Sequence, residues 1–375
     1  MKILVCPDSF KGSFDAFSAA KAMKAAILSV AHERSVCVDV LSLGVADGGE
    51  GSIDALINAL DGEKVRARVR GPYGESVAAE YAYAHGCAYI EMASASGLCL
   101  TNRREPLLAS TYGTGQLICD AVKRGAEKIT VFVGGSATCD GGIGMAAGLG
   151  YTFYDENGDE LYPCAASMSK IRKIVKPSED LLKNVKVLCA CDVTNPLYGK
   201  EGAAYVFSPQ KGADEKAVLE LDCGLRNLAD AVMRDMKTDI SFLEGGGAAG
   251  GLGAGLYAFC GAQMCGGFAV ICDALKLEEK IAQADAVVTG EGCTDVQSMM
   301  GKVVGRINAM CKKYGKRCYV ISGMLKDREL LEKSGIEHMY SSVDFSGSAE
   351  LSIKDPQRYI YLAAKEAARD MTAMI

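Results

Sequence analysis

Glycines, carboxylates and hydroxyls recur, in varying combination, in six loops of this chain, each after an apolar run. Asp8, Ser9 and Lys11 share the first with Gly12. Asp47 and Glu50 flank Gly48 and Gly49 in the second. Ser136, Thr138 and Asp140 lie between Gly134-Gly135 and Gly141-Gly142 in the third. Asp192, Thr194 and Asn195 precede Pro196 in the fourth, and seven glycines crowd 245–255 in the fifth. In the sixth, Glu291 and Asp295 stand four apart around Gly292, with Lys302 beyond. Glycine lets backbone N–H groups approach an anion closely, because no Cβ intervenes. Carboxylates beside such loops can hold Mg²⁺ through oxygen. Anion donors and metal ligands gathered in this way point to phosphoryl transfer.

Each residue also has a plainer reading. Lys11 suits a substrate carboxylate or a phosphate, or is a solvated surface lysine. Asp8 and Ser9 can bind substrate or metal, or cap the helix that follows. Asp47 and Glu50 are metal or hydroxyl partners, or a capping box before Ser52. Ser136, Thr138 and Asp140 form an anion nest, or a turn that only needs positive φ. Asp192 can take a proton from an attacking hydroxyl or hold Mg²⁺, or close an Asx-turn. Glu291, Asp295 and Lys302 can serve metal and nucleotide, or act as caps and a surface ion pair.

The elements that must position these residues alternate in type. Ile3 to Cys6, Val36 to Leu43, Ala286 to Thr289 and Arg317 to Ser322 read as buried strands. Helical spacing covers Ser18 to Val30, Ser52 to Leu60, Gly301 to Tyr314 and Tyr359 to Met371. Strand, loop and helix in repetition imply right-handed crossovers and a parallel sheet. From about Lys64 the pattern changes. Val65 to Val69 and Val77 to Tyr83 alternate around Gly71-Pro72-Tyr73-Gly74, a hairpin signal. Further strands are expected at Ala88–Met92, Lys128–Val133 and Val185–Cys191. Helices are expected at Gly113–Arg124, Gly142–Leu149 and Glu215–Met236, while 255–259 and 268–274 read as helix or strand. The simplest account is an α/β protein of two domains around a cleft. A Rossmann-like parallel sheet is split between residues 1–65 and 280–375, and 66–279 is an inserted α/β domain.

At 375 residues the chain exceeds one average core. Apolar residues make up 49% and charged residues 23%, an ordinary globular balance. A net charge of −6 with no basic stretch argues against nucleic acid as the partner. No apolar run reaches the roughly 18 residues of a spanning helix. The start reads as a strand, not a signal peptide. The sixteen cysteines sit largely in apolar runs, and His32, His85 and His338 are too dispersed for a zinc pattern. Reduced thiols and a cytoplasmic location are expected.

No Walker A loop, protein-kinase signature or complete dinucleotide fingerprint is present. The last of these disfavours a nucleotide-dependent oxidoreductase. The order of motifs is nonetheless distinctive. Pro7-Asp8-Ser9-Phe10-Lys11-Gly12-Ser13 leads to Ala46-Asp47-Gly48-Gly49-Glu50-Gly51, then Gly134-Gly135-Ser136-Ala137-Thr138 with Asp140-Gly141-Gly142. Cys191-Asp192-Val193-Thr194-Asn195-Pro196-Leu197, Phe207-Ser208-Pro209-Gln210-Lys211-Gly212-Ala213 and Gly290-Glu291-Gly292 with Asp295 follow. From residue 3 to about 370, this order resembles the glycerate kinase family of the bacterial glycerate 2-kinase type.

The resemblance implies transfer of the ATP γ-phosphoryl group to D-glycerate with Mg²⁺, giving 2-phosphoglycerate. Under it, Lys11 and Asp192 carry catalysis, and Asp8, Ser9, Asp47, Thr194 and Asn195 bind the acceptor. Gly134, Gly135, Ser136, Thr138, Asp140 and Lys302 serve ATP, and Glu291 and Asp295 the metal. The family usually has Arg where this chain has Cys293, Asn at Cys139 and Thr at Ser298. An arginine could neutralise charge on a moving phosphoryl group, which a cysteine cannot. The alternatives are a relative that binds without turnover, or a kinase of another small hydroxy acid.

Overall fold

The computed structural model describes residues 1–10, 12–46, 48, 52–299 and 301–373. The chain divides into two compact units. One comprises Met1–Asp47, Asp54–Asp61 and Phe268–Ile375; the other comprises Gly48–Ile53 and Gly62–Gly267.

In the first unit, five strands form an all-parallel sheet. Their order is His338–Ser341, Arg317–Ser322, Ala286–Thr289, Lys2–Val5 and Asp39–Ser42. Ile3 stands opposite Ala286 on one side and Val40 on the other. Every residue of Ala286–Thr289 is buried, as expected where helices cover both faces of a parallel sheet. Helix Ala16–Glu33 opens on Asp15, whose carboxylate accepts from Ser18 N at 2.9 Å. Helix Pro356–Thr372 opens on Asp355 with proline at its start. The two share a core with the sheet through small side chains, among them Ala19, Ala26, Ala363 and Ala367. From Lys2–Val5 the chain steps first to Asp39–Ser42 on one side, and later to Ala286–Thr289 on the other. In open parallel sheets ligands commonly bind outside the carboxyl ends of the strands at such a switch point.

The second unit holds six strands in the order Gln263–Cys265, Lys186–Ala190, Lys128–Phe132, Cys87–Glu91, Ser76–Ala84 and Glu63–Arg70. The first four run parallel. The last two form the expected antiparallel hairpin, with Gly74 at φ +89° in its turn. Tyr81, Ile90, Leu117, Ile129 and Phe153 lie in its core.

The parallel pattern therefore does not stop at Lys64, as the sequence suggested. The irregular stretch between Gly97 and Thr111 hides the crossover through helix Tyr112–Lys123. The ambiguous segments resolve as helices, Ala248–Cys260 and Gly267–Ala274. Strands Gln263–Cys265, Thr152–Tyr154 and Lys173–Val175 escape sequence reading because three residues carry too little periodicity. No described helix is long and apolar enough to cross a membrane, and all sixteen cysteines are free thiols.

Candidate functional site

Five of the six loops leave the carboxyl end of a parallel strand. They follow Lys2–Val5, Asp39–Ser42, Lys128–Phe132, Lys186–Ala190 and Ala286–Thr289. The remaining one, at 245–251, does not: helix Glu215–Met236 and an irregular stretch precede it. Its glycines serve close packing. Gly250 has φ +69°, and a Cβ there would lie 2.1 Å from the Thr138 carbonyl oxygen. Gly250 O in turn accepts from Gly141 N at 3.0 Å. This run backs the third loop.

In the first unit, the strand-end loops border a cavity of about 360 Å³. Asp8, Ser9, Glu291, Cys293 and Lys302 line its polar side, and Met324, Ile353 and Ile360 its apolar side. Asp8 N donates to Gly290 O at 2.8 Å, tying the first and last loops together. The Asp8 side chain is 7% exposed, and Oδ1 accepts from Ser9 N at 2.6 Å. Glu291 is 8% exposed, and its Oε1 accepts from the Thr294 hydroxyl at 3.3 Å. Burial pushes the Glu291 carboxyl above its ordinary value, against the Ser298 and Thr294 hydroxyls and the Lys302 charge. Asp295 instead caps the turn Val296–Met299, with Oδ1 accepting from Ser298 N at 3.0 Å. Lys302 is exposed just before helix Val303–Lys313. Cys293 is half-buried, and burial pushes its thiol up. Lys11 and Asp47, with Glu50, lie outside the described residues.

In the second unit, the Gly134–Gly142 loop presents Gly134 and Gly135 to solvent and turns its other groups inward. Gly135 adopts φ +72°. The loop is pinned to the segment beside it: Leu98 N donates to Gly135 O, and Ala137 N to Ser96 O, each at 2.9 Å. Asp140 is wholly buried. Its carboxylate accepts from Thr111 N at 2.7 Å, Thr111 Oγ1 at 2.8 Å, and the Gly142 and Gly144 amides at 3.2 Å. Burial raises its carboxyl, and those donors oppose the shift. Every partner donates, so the ionised form is the one that fits. Thr138 is also wholly buried, and Ser136 is 6% exposed. Thus Asp140 and Thr138 build the loop, while Gly134 and Gly135 are the members a ligand can reach.

Asp192 is exposed, and both its oxygens face Gly267 N, at 3.2 and 3.3 Å. Thr194 is exposed as well. Asn195 braces the loop: its Nδ2 donates to Glu201 O at 2.8 Å, and its carbonyl accepts from Gly247 N at 2.9 Å.

One residue without a role in the sequence reading belongs here. Lys211 is 2% exposed, and its Nζ donates to Ser136 Oγ and to Thr138 O, both at 2.7 Å. Burial lowers its pKa, with neighbouring Cys139 and Asp140 opposing. The signal for it was Pro209 and Gly212, which shape a short turn with Gly212 at φ +98°. Among the described residues, no group of three or more His, Cys, Asp and Glu is placed to hold a metal. Mg²⁺ commonly takes only one or two protein carboxylates besides phosphate and water, which Glu291 at the cavity wall can supply.

Comparison with known proteins adds an independent line. Residues 3–372 match the glycerate kinase family. The chain is 38% identical over 374 residues to the glycerate 2-kinase of Escherichia coli (strain K12), covering 98% of this chain and 97% of that protein. It is 37% identical over 381 residues to the glycerate kinase of Bacillus subtilis (strain 168), covering 100% and 98%. Among solved structures, “putative glycerate kinase 2 from Salmonella typhimurium LT2” superposes with a TM-score of 0.89 at 38% identity. That match covers 100% of this chain and 98% of the other.

Proposed function

The chain belongs to the glycerate kinase family, a family of enzymes, and from that membership we propose that it transfers the ATP γ-phosphoryl group to D-glycerate. One observation carries this reading. The motif order that marks the family sits on a fold in which five of the six motif loops follow the carboxyl ends of parallel strands.

The roles follow from what each group offers. The exposed Gly134–Gly135 backbone suits ATP phosphate oxygens. Lys11 suits the glycerate carboxylate, with Asp8 and Ser9 nearby in sequence for its hydroxyls. Asp192 is solvent-facing and acidic, and takes the proton of the attacking hydroxyl. A bond forms between that oxygen and the γ-phosphorus, the bond from the γ-phosphorus to the β,γ-bridging oxygen breaks, and ADP leaves with the electron pair. Mg²⁺, when bound, would neutralise charge on the β- and γ-phosphates; Glu291 would hold it. Lys302, exposed on the same cavity, suits the phosphate chain. The resemblance and the name of the Escherichia coli relative favour the 2-hydroxyl as acceptor. A cytoplasmic location accords with sixteen free thiols.

The test is ADP release by the purified chain with ATP and Mg²⁺ across a panel of small hydroxy acids. D-glycerate should support turnover, glycerol should not, and EDTA should stop the reaction. No turnover with D-glycerate, or equal turnover with glycerol, refutes the reading. Cys293 favours a second reading, a relative that binds without turnover. Calorimetric binding of ATP or D-glycerate with no ADP formed would select it.

A further inference from the structure

Lys211, beneath the Gly134–Gly142 loop, is too buried to touch a substrate directly. A buried ammonium is retained only against strong compensation, and an apolar side chain of similar length would often pack as stably. Stability alone therefore does not account for a charge at Lys211. Two observations supply a reason. Both of its short hydrogen bonds go to one loop, to Ser136 Oγ and Thr138 O, directly after the exposed Gly134 and Gly135. The Thr138 hydroxyl in that loop is buried and has no hydrogen-bond partner among the described residues. The loop does not satisfy its own polar groups, so its shape depends on what holds it from behind.

The holding is done by opposite charges at two points. Asp140 gathers Thr111, Gly142 and Gly144 at the far end of the loop. Lys211 gathers Ser136 and Thr138 at the near end. We propose that Lys211 is a positioning residue for phosphate. Its ammonium fixes Ser136 and the Thr138 carbonyl so that the Gly134–Ser136 backbone offers one constant face to an ATP phosphate, with a positive charge behind that face. This rests on the reading that the loop takes ATP phosphate. Charge held in a dry site acts more strongly than charge in water, and it needs no rearrangement when the anion arrives.

Lys211→Met removes the charge and both bonds at similar side-chain length. In the purified full chain, kcat/KM for ATP should fall on the order of 10²-fold, the scale of a small misplacement of reacting groups. KM for D-glycerate should stay within about twofold, because only one substrate loses its seat. Ser136→Ala should lower kcat/KM for ATP about tenfold, the loss of one hydrogen bond. The double variant should be no worse than Lys211→Met, since the two changes share a bond. Amide hydrogen exchange over 134–139 should quicken in both single variants without substrate. A folded Lys211→Met chain with wild-type kcat/KM for ATP overturns the proposal. So do equal rises in both KM values, multiplicative losses in the double variant, or unchanged loop exchange. Should Lys211→Met fail to fold, Ser136→Ala and its exchange decide alone. A wild-type chain that cannot phosphorylate D-glycerate sinks the functional reading instead, and loop exchange still decides the role of Lys211.

Discussion

The loops at 134–142 and 290–295 share one sequence grammar, yet they spend their carboxylates differently. Asp140 is wholly buried and accepts four hydrogen bonds from its own loop and Thr111. Burial raises both carboxyls, but Glu291 lines a cavity and, among the described residues, has only the Thr294 and Ser298 hydroxyls as donors beside it. A carboxylate surrounded by donors holds a loop; a carboxylate beside open space and short of donors is available to a ligand. The contrast recurs within the second loop itself, where Asp295 caps a turn and Glu291 does not. Glycine beside a carboxylate is therefore not by itself a ligand site. What decides is whether the surrounding backbone has already saturated the oxygens.

The largest expected effect extends the contrast to a third loop. Asp192 is exposed like a ligand-facing group, so Asp192→Asn should lower kcat on the order of 10²-fold or more with Tm unchanged. A lowered Tm with normal kcat would move Asp192 to the loop-holding kind. Next comes Asp140→Asn. The amide places its NH₂ among donors, and the fold should lose about 3 kcal/mol, as for a broken buried ionic group. Thermal unfolding should show Tm several degrees lower; an unchanged Tm would break the comparison.

Glu291→Gln should act in the opposite sense. KM for Mg–ATP should rise about tenfold, the loss of roughly one charged contact. Stability has a definite sign. The folded pKa of Glu291 is raised, so the native state binds its proton more tightly than the unfolded state. Its stabilising effect is complete below the ordinary carboxyl value and is lost as pH rises through the raised value. Glu291→Gln should therefore match or exceed the wild-type Tm at pH 7 and lose that advantage in acid. A lower Tm at pH 7 would mean that Glu291 holds its loop as Asp140 does. The smallest effect is expected of Cys293→Arg at the cavity wall. Activity should hold or rise, by no more than about threefold for a partly solvated charge. Clear inactivation would mean that the loop is built around the cysteine.

Much of the frame could be read from periodicity. Ser52–Leu60, Glu215–Met236 and Ala286–Thr289 occupy the residues that their apolar spacing marks. Glu215–Met236 is long and Ala286–Thr289 is wholly buried, so their patterns are strong. Gln263–Cys265 has a polar first residue and only three positions, and its strand character comes from pairing with Lys186–Ala190. The site was legible as loops but not as roles. Asp140 and Glu291 look alike in sequence, because two of the four donors that saturate Asp140 come from Thr111, 29 residues away. Lys211 stands in the sequence only as a lysine in a Pro-Gly turn, and folding buries it under Ser136. The glycines at 245–255 suggest a phosphate cradle, whereas Gly250 makes room for the Thr138 carbonyl.

Phosphorus NMR of the chain with ATP, Mg²⁺ and D-glycerate tests the central claim most directly. The γ-phosphate resonance should decline in step with a new phosphate ester, and that ester should be a doublet, split by the single proton on carbon 2. A triplet would place the group on carbon 3 and overturn the 2-hydroxyl assignment. A γ-phosphate resonance that persists unchanged beside D-glycerate would contradict the account of this chain as a glycerate kinase.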